Sequence, residues 1–110
     1  MPICIGGSGE RRTLPLVAKY ADHWNLGTAA RDPIAEFRLK RAVLEEHCAT
    51  IGRNPEEISI SALLFANGLS LDGAIELAHR YDDEGVDVGI LSLPRPLDPR
   101  DIERFAEAFR

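Results

Sequence analysis

The chain alternates short apolar runs with longer segments of helical periodicity, and this alternation constrains its fold more than any other feature. The short runs, each of strand length, lie at residues 3–5, 23–26, 58–65 and 86–93. The segments with apolar residues three and four positions apart lie at 10–22, 32–51 and 70–84 and from residue 98 onward. Strands that alternate with helices in this order are parallel and joined by helical crossovers. The pattern predicts an α/β fold of four consecutive βα units with parallel strands.

Capping residues mark the helix boundaries within this pattern. Asp32 can cap the second helix, and Pro33 suits its first position because the missing N–H would be unpaired there in any case. Gly52 closes that helix in the left-handed position. The same kinds of signal recur at Ser70, Gly85, Asp98 and Pro99, and turn signals lie at Asn54-Pro55 and Asn67-Gly68.

Pro15 disagrees with a helix that begins at residue 10. It lacks an N–H and would clash with the carbonyl of Arg11. Either the helix begins near Thr13 or it is kinked, and we favour the late start, which leaves residues 6–12 as a longer loop.

Length and charge limit the classes of function. The 110 residues are enough for one domain, spanning 1–110. Thirteen basic and eighteen acidic residues give a net charge of −5, which argues against a nucleic-acid surface or an anionic membrane surface. No run approaches the roughly 18 apolar residues of a membrane span. Small molecules are the expected partners.

The N-terminus and the cysteines indicate the expected compartment. Met1 leads into a strand without a basic segment, so no signal peptide is expected. The two cysteines are predicted to be free thiols in a reducing cytosol, with Cys4 in the core of a strand and Cys48 in the core of a helix. We therefore expect a cytoplasmic protein.

The most specific local signal is the glycine-rich loop after the first strand. Gly6, Gly7 and Gly9 let the backbone turn tightly, and Ser8 adds a hydroxyl. Backbone N–H groups at the start of a helix bind anions, and a neighbouring arginine such as Arg11 can hold a phosphate with two hydrogen bonds. The loop either binds phosphate or serves only as a tight turn. A dinucleotide fingerprint fits less well, because the third glycine of G-x-G-x-x-G is absent.

Other side chains are weaker candidates. Trp24 could stack on a ring or belong to the core, and Asn25 could donate to a ligand or cap a turn. His23 would point away from Trp24, because adjacent residues of a strand face opposite sides. Ser92 and Arg95 follow the fourth strand and could reach the same edge as the glycine loop. The histidines and cysteines lack metal-ligand spacing, so no metal site is predicted, and no catalytic acid or base can be assigned.

Two segments carry a resemblance to a known family. Residues 2–14 (PICIGGSGERRTL) followed by residues 17–25 (VAKYADHWN) resemble the C-terminal half of the luciferase-like monooxygenase family, in particular its deazaflavin-dependent oxidoreductase branch. Weaker similarities lie at residues 44–48 (LEEHC), 52–58 (GRNPEEI) and 85–87 (GVD). The resemblance covers nearly the whole chain, and its first 25 residues are the specific part.

The resemblance implies half of a (β/α)₈ TIM barrel that binds a flavin or deazaflavin coenzyme, FMN or coenzyme F-420, at the carboxyl ends of its strands. This chain would supply strands five to eight. The residues that would bind the coenzyme are Gly6, Gly7, Ser8 and Gly9 at the phosphate, Arg11 beside it, and Trp24 and Asn25 as walls of the binding site. The resemblance places the proton-transfer group in the other half of the barrel.

Half a barrel leaves two exposed sheet edges and an inner face, predicted to be apolar, that needs a cover. The chain is expected to pair with itself as a homodimer or with a missing half. Three functions remain open: an oxidoreductase or monooxygenase fragment, a non-catalytic barrel half that acts by self-association, and a phosphate-binding module for another nucleotide.

Overall fold

The computed structural model describes residues 1–27, 30–65, 69–93 and 95–110. Its strands are β1 (Cys4–Gly6), β2 (His23–Leu26), β3 (Ser59–Phe65) and β4 (Val88–Ser92). Its helices are α1 (Thr13–Tyr20), α2 (Pro33–Ile51), α3 (Leu71–Asp83) and α4 (Pro99–Glu107), with a short 3₁₀ turn at Pro55–Glu57. None of the helices in these ranges is long and apolar enough to cross a membrane. The turn signal at Asn67-Gly68 lies outside the described residues.

The four strands form one parallel sheet in the order β1-β2-β3-β4. This confirms the predicted α/β fold with parallel strands. Because parallel crossovers are right-handed and each strand pairs with the next one along the chain, the helices lie on the same face of the sheet. The opposite face is called the open face below.

Two aspartates repeat one device at the amino ends of alternate strands. Asp22 precedes β2, donates its N–H to the carbonyl of Ile3 and accepts the Ile3 N–H on its carboxylate at 2.8 Å. Asp87 precedes β4 and makes the same two bonds with Ile60, again at 2.8 Å for the carboxylate. Each pair fixes the register between neighbouring strands where a ladder would otherwise begin to fray.

The first helix begins late, as predicted from Pro15. α1 starts at Thr13, and residues 7–12 form a loop and turn. At this start Pro15 lies in the first turn, where its missing N–H removes no helical hydrogen bond. At the carboxyl end of α1, Arg53 donates to the carbonyls of Val17 and Ala18, which places a cation at the negative end of the helix.

The predicted caps are confirmed. Asp32 accepts the Ala35 N–H at 3.1 Å at the start of α2, and Gly52 ends that helix with φ of 72°. The same kind of side-chain cap begins the two later helices, where Ser70 accepts the Gly73 N–H and Asp98 accepts the Arg100 N–H, each at 3.0 Å. These local signals explain why the helix boundaries follow the sequence pattern closely.

The main core lies between the sheet and the first three helices. Trp24 on β2 stacks on Phe37 of α2 at 6.1 Å between ring centroids, and Phe37 meets Tyr81 of α3 edge-on at 5.8 Å. All three rings are buried. The chain therefore builds a packed interior on the helix side of the sheet.

Several apolar residues at helical spacing, and one strand residue predicted to lie in the core, are not buried. Ile51 is exposed in the last turn of α2. Ile102 and Phe109 are also exposed, since α4 packs mainly against α3 and buries no residue fully. Cys4 is exposed because its position in β1 faces the open side, whereas Cys48 is buried as predicted. Both thiols are free.

Candidate functional site

The glycine-rich loop lies at the carboxyl edge of the parallel sheet. It follows β1 directly and leads into α1. In parallel α/β proteins, ligands bind at this edge, where the strand ends and helix starts converge. The structure thus places Gly6, Gly7, Ser8, Gly9 and Arg11 at this carboxyl edge.

Four hydrogen bonds fix the backbone of this loop. The Gly7 N–H donates to the carbonyl of Asn25 at 3.1 Å, and the indole N–H of Trp24 donates to the Gly7 carbonyl at 2.7 Å. The Leu14 N–H donates to the Gly9 carbonyl at 2.9 Å, and His47 Nε2 donates to the Glu10 carbonyl at 3.0 Å. Three loop carbonyls are therefore engaged.

The loop keeps donors that no other group in the described segments uses. The backbone N–H groups of Ser8 and Gly9 have no hydrogen-bond partner among the described residues. Arg12 begins α1 without a side-chain cap, and the first turn of the helix has no acidic residue. A helix start of this kind carries partial positive charge and attracts an anion.

Charge around the loop also favours an anion. Arg11 and Arg12 are exposed and form no ion pair within the described part of the chain. Glu10, which would compete with an anion, lies 3.8 Å from the ammonium group of Lys40. The competing carboxylate is thus partly neutralised, and the loop is electropositive.

Two of the glycines lie close to Thr13, and Gly7 also has a backbone conformation that favours glycine. Gly7 has φ of +128°, and a Cβ there would lie 3.0 Å from Thr13 Cγ2. A Cβ on Gly9 would lie 3.1 Å from Thr13 Oγ1. Gly6 differs, because its Cβ would meet Asn25 only at an ordinary 3.8 Å. The loop therefore folds tightly over the start of α1, whereas Gly6 leaves bare backbone on the open face.

Trp24 does not line a binding site, contrary to the expectation. Its side chain is 0% exposed and points into the core on the helix side of the sheet. Its contribution to the loop is the hydrogen bond to Gly7. Side chains alternate between the two faces along a strand, so only one of the adjacent residues Trp24 and Asn25 in β2 can face the open side.

Asn25 is the residue of this pair that faces the open side. Its amide Nδ2 donates to Ser61 Oγ at 2.8 Å, and its backbone carbonyl holds Gly7. Asn25 therefore connects the glycine loop to the interior of the sheet, one position below the carboxyl end of β2.

A polar cluster on the open face was not predicted. His23 lies between two hydroxyls, with Nδ1 at 2.6 Å from Ser59 Oγ and Nε2 at 2.7 Å from Ser61 Oγ. Ser59 also donates its hydroxyl to the Asp22 carbonyl, and Ser61 accepts the side-chain amide of Asn25. The cluster therefore joins β2 to β3 through side chains on the open face.

This cluster corrects the prediction of an apolar inner face. The polar side chains lie on the first part of β2 and β3, whereas Leu63, Val88 and Ile90 are apolar on the same face, and the last two are more than two-fifths exposed. Across β2 and β3, His23 pairs with Ser59 and Asn25 pairs with Ser61. The sequence indicates this cluster only when the register between the two strands is known. Without the register, a lone histidine and two serines carry no such information.

The remaining candidates lie farther from the loop. Ser92 ends β4 at the carboxyl edge, on the open face and exposed, and Arg95 is exposed beyond it. His79 stacks on Phe109 at 4.3 Å on the helix side. Among the residues that the structure describes, no three His, Cys, Asp or Glu side chains come together as a metal site.

The shifted pKa values belong to structural contacts. The hydrogen bond from Arg38, with its charge and that of Arg41, lowers the pKa of Glu84. Burial raises the pKa of the Cys48 thiol and that of Tyr81. These groups lie around α2 and α3, away from the glycine loop, and they give no sign of acid–base chemistry there.

Comparison with protein-family models finds no match, and comparison with curated proteins finds none either.

Proposed function

We propose that this chain is the C-terminal half of a luciferase-like (β/α)₈ barrel that binds the phosphate of a flavin or deazaflavin coenzyme, FMN or coenzyme F-420. The observation that carries the proposal is the fixed glycine loop with unused N–H donors at the carboxyl edge of a parallel sheet. The loop provides the features that phosphate binding requires: oriented donors, a helix start and arginines.

The sheet topology supports the barrel interpretation. Strand order follows chain order, whereas doubly wound folds reverse direction in mid-sheet and place helices on both faces. Four sequential βα units with helices on one face are the arrangement of half a (β/α)₈ barrel. The open face, with its half-buried polar cluster, then becomes the barrel interior.

Each residue of the site has a defined task in this proposal. The backbone N–H groups of Ser8 and Gly9 bind phosphate oxygens, and Arg11 adds charge and a second pair of donors. Gly6 leaves room for the ligand beside Asn25, whose remaining amide oxygen can accept a hydrogen bond. Trp24 and His47 hold the loop backbone in position. The coenzyme, when bound, supplies hydride or oxygen chemistry to a small-molecule substrate.

Titration with matched ligands tests the proposal. FMN and riboflavin share a ring and differ in the phosphate, so the chain should bind FMN at least about tenfold more tightly, which is about 1.4 kcal/mol. Arg11→Gln should remove most of that difference, and Arg110→Gln, at an exposed arginine remote from the loop, should not. Coenzyme F-420 is titrated in parallel, and equal affinity for FMN and riboflavin would refute the phosphate site.

A second candidate function rests on a different observation. The open face exposes Val88 and Ile90, and a parallel sheet is normally covered on both faces. A non-catalytic barrel half that acts by self-association would also cover it. A preference for a nucleotide other than FMN or F-420 in the same titration would favour a phosphate-binding module instead. In each case we propose the cytoplasm as the compartment.

A further inference from the structure

Both edges of the sheet lack a neighbouring strand among the described residues. β1 pairs only with β2, and β4 pairs only with β3. The unused backbone groups of an edge strand are a template for another strand. Since β1 and β4 run in the same direction, the β4 edge of one copy can accept the β1 edge of another in parallel.

Exposed apolar side chains flank both edges. Ile3, Leu16 and Tyr20, on the β1–α1 side, are each about half exposed. Ile90 and Ile102, on the β4–α4 side, are exposed to a similar extent. The apolar surface therefore lies where a neighbouring βα unit would pack.

The two ends of the chain also have opposite charge. Residues 1–31 contain four basic and two acidic side chains, whereas residues 69–110 contain five basic and ten acidic ones. The basic end carries β1 and α1, and the acidic end carries α3, β4 and α4. Apposition of the β4 side of one copy with the β1 side of another brings these unlike charges together.

From these observations we infer that two copies of this chain close one eight-stranded barrel. A two-fold axis along the barrel pairs β4 of each copy with β1 of the other, packs α4 against α1, and covers both open faces. The inference rests on the half-barrel arrangement proposed above. Eight strands is the number at which a parallel barrel of this kind closes with a filled interior. Both edges are used, so association stops at the dimer.

The register of the closed barrel follows from the register within the chain. One row of paired residues crosses the sheet from Cys4 to His23 and then to Ser59. Because Ser61 pairs with Val88, Ser59 in this row is level with residue 86, just before β4. In a closed barrel of this kind, the strand pairing shifts by about eight residues over one full turn around the barrel. Each of the two junctions between copies therefore contributes a shift of about four residues. Cys4 of the second copy is then level with Ile90. The opposite stagger would place it at residue 82, in α3, where no strand is available.

This register brings complementary side chains together. Ile90 and Cys4 both face the interior, so a large side chain on β4 lies beside a small one on β1. The two glycine loops lie at the same mouth of the barrel, related by the two-fold axis. Each phosphate site is then completed by the other copy's β4 edge, including Ser92.

Disulfide trapping tests the predicted pairing. In Ile90→Cys, oxidised glutathione should join residue 90 to Cys4 of the second copy, because neighbouring strands hold Cα atoms within the 4.4–6.8 Å that a disulfide spans. Bonding within one chain is excluded, since β1 and β4 are three strand spacings apart. A non-reducing gel should show mostly covalent dimer, formed at least about tenfold faster than in Leu39→Cys.

Matched controls make the result decisive. Leu39 is about half exposed on α2, away from both edges, so Leu39→Cys reports random collision. Adding Cys4→Ser to Ile90→Cys should abolish the dimer. Sedimentation of the unmodified chain should give twice 12.1 kDa at micromolar concentration, and Ile90→Lys should halve it. A monomeric unmodified chain, or equal trapping in both cysteine variants, would overturn the inference. Loss of FMN binding with trapping intact would instead refute only the phosphate site.

Discussion

Trp24→Phe separates the anchoring of the glycine loop from the packing of the core. The substitution removes the indole N–H that donates to Gly7 at 2.7 Å. Since Gly7 is itself exposed, water can replace the indole, and the loss is about 1 kcal/mol. The smaller ring leaves a void in a site that is 0% exposed, at a further cost of about 1–2 kcal/mol. The free energy of unfolding should fall by about 2–3 kcal/mol.

Urea denaturation measures this loss, and Phe37→Leu is the matched control. Phe37 is the stacking partner of Trp24, and its side chain has no group that could hydrogen-bond to the loop. Both variants should unfold at lower urea, with midpoints lowered by about 1–2 M. Hydrogen exchange should then distinguish them, because only Trp24→Phe should speed exchange of the Gly7 amide beyond its effect on global stability. Equal exchange of that amide in both variants would refute the anchoring role.

Three further predictions follow from individual contacts. Gly7→Ala should destabilise the chain by about 1–3 kcal/mol in urea denaturation, because φ is +128° and the Cβ meets Thr13, whereas Gly6→Ala should change stability by less than about 1 kcal/mol. Ser70→Ala should cost about 1 kcal/mol in the same assay through loss of the α3 cap. Arg38 lowers the pKa of Glu84 in the folded state, so its stabilisation is present above the ordinary carboxyl pKa and is lost as pH falls; Glu84→Gln should flatten the pH dependence of stability below about pH 5. An unchanged pH profile in Glu84→Gln would refute the stabilising role of the Arg38–Glu84 pair. Unchanged stability in Gly7→Ala or in Ser70→Ala would refute the role given to that residue.

Local signals made most of the fold predictable. Asp32 with Pro33, Gly52 and Ser70 determine helix boundaries through backbone geometry and side-chain caps, which depend on nearby sequence alone. Pro15 likewise predicted the late start of α1. The order of the elements then dictated parallel strands, because helical crossovers between successive strands permit little else.

The site was less predictable because it depends on register. Only the residue of β2 that faces the open side, Trp24 or Asn25, can contact a ligand. The packing of Trp24 against Phe37 leaves Asn25 on the open side. The cluster of His23, Ser59 and Ser61 exists because residues 36 and 38 positions apart are brought level across two strands. No local pattern encodes such a pairing.

The exposed end of the chain shows the same limit. Ile102 and Phe109 have the spacing of a buried helix face, yet α4 leaves them exposed. Periodicity indicates which residues of a helix favour burial, but it does not indicate which other element packs over them. In the arrangement inferred above, the second copy supplies part of that cover.

Backbone amide chemical shifts provide the most direct test of the central claim that the glycine loop binds a phosphate. On addition of FMN to the ¹⁵N-labelled chain, the amides of Ser8 and Gly9 should move downfield together, with smaller changes at Arg11 and Thr13, and inorganic phosphate should move the same peaks at higher concentration. Riboflavin should leave the Ser8 and Gly9 amides in place. Unmoved Ser8 and Gly9 amides at saturating FMN, or the same movement with riboflavin, would contradict the account.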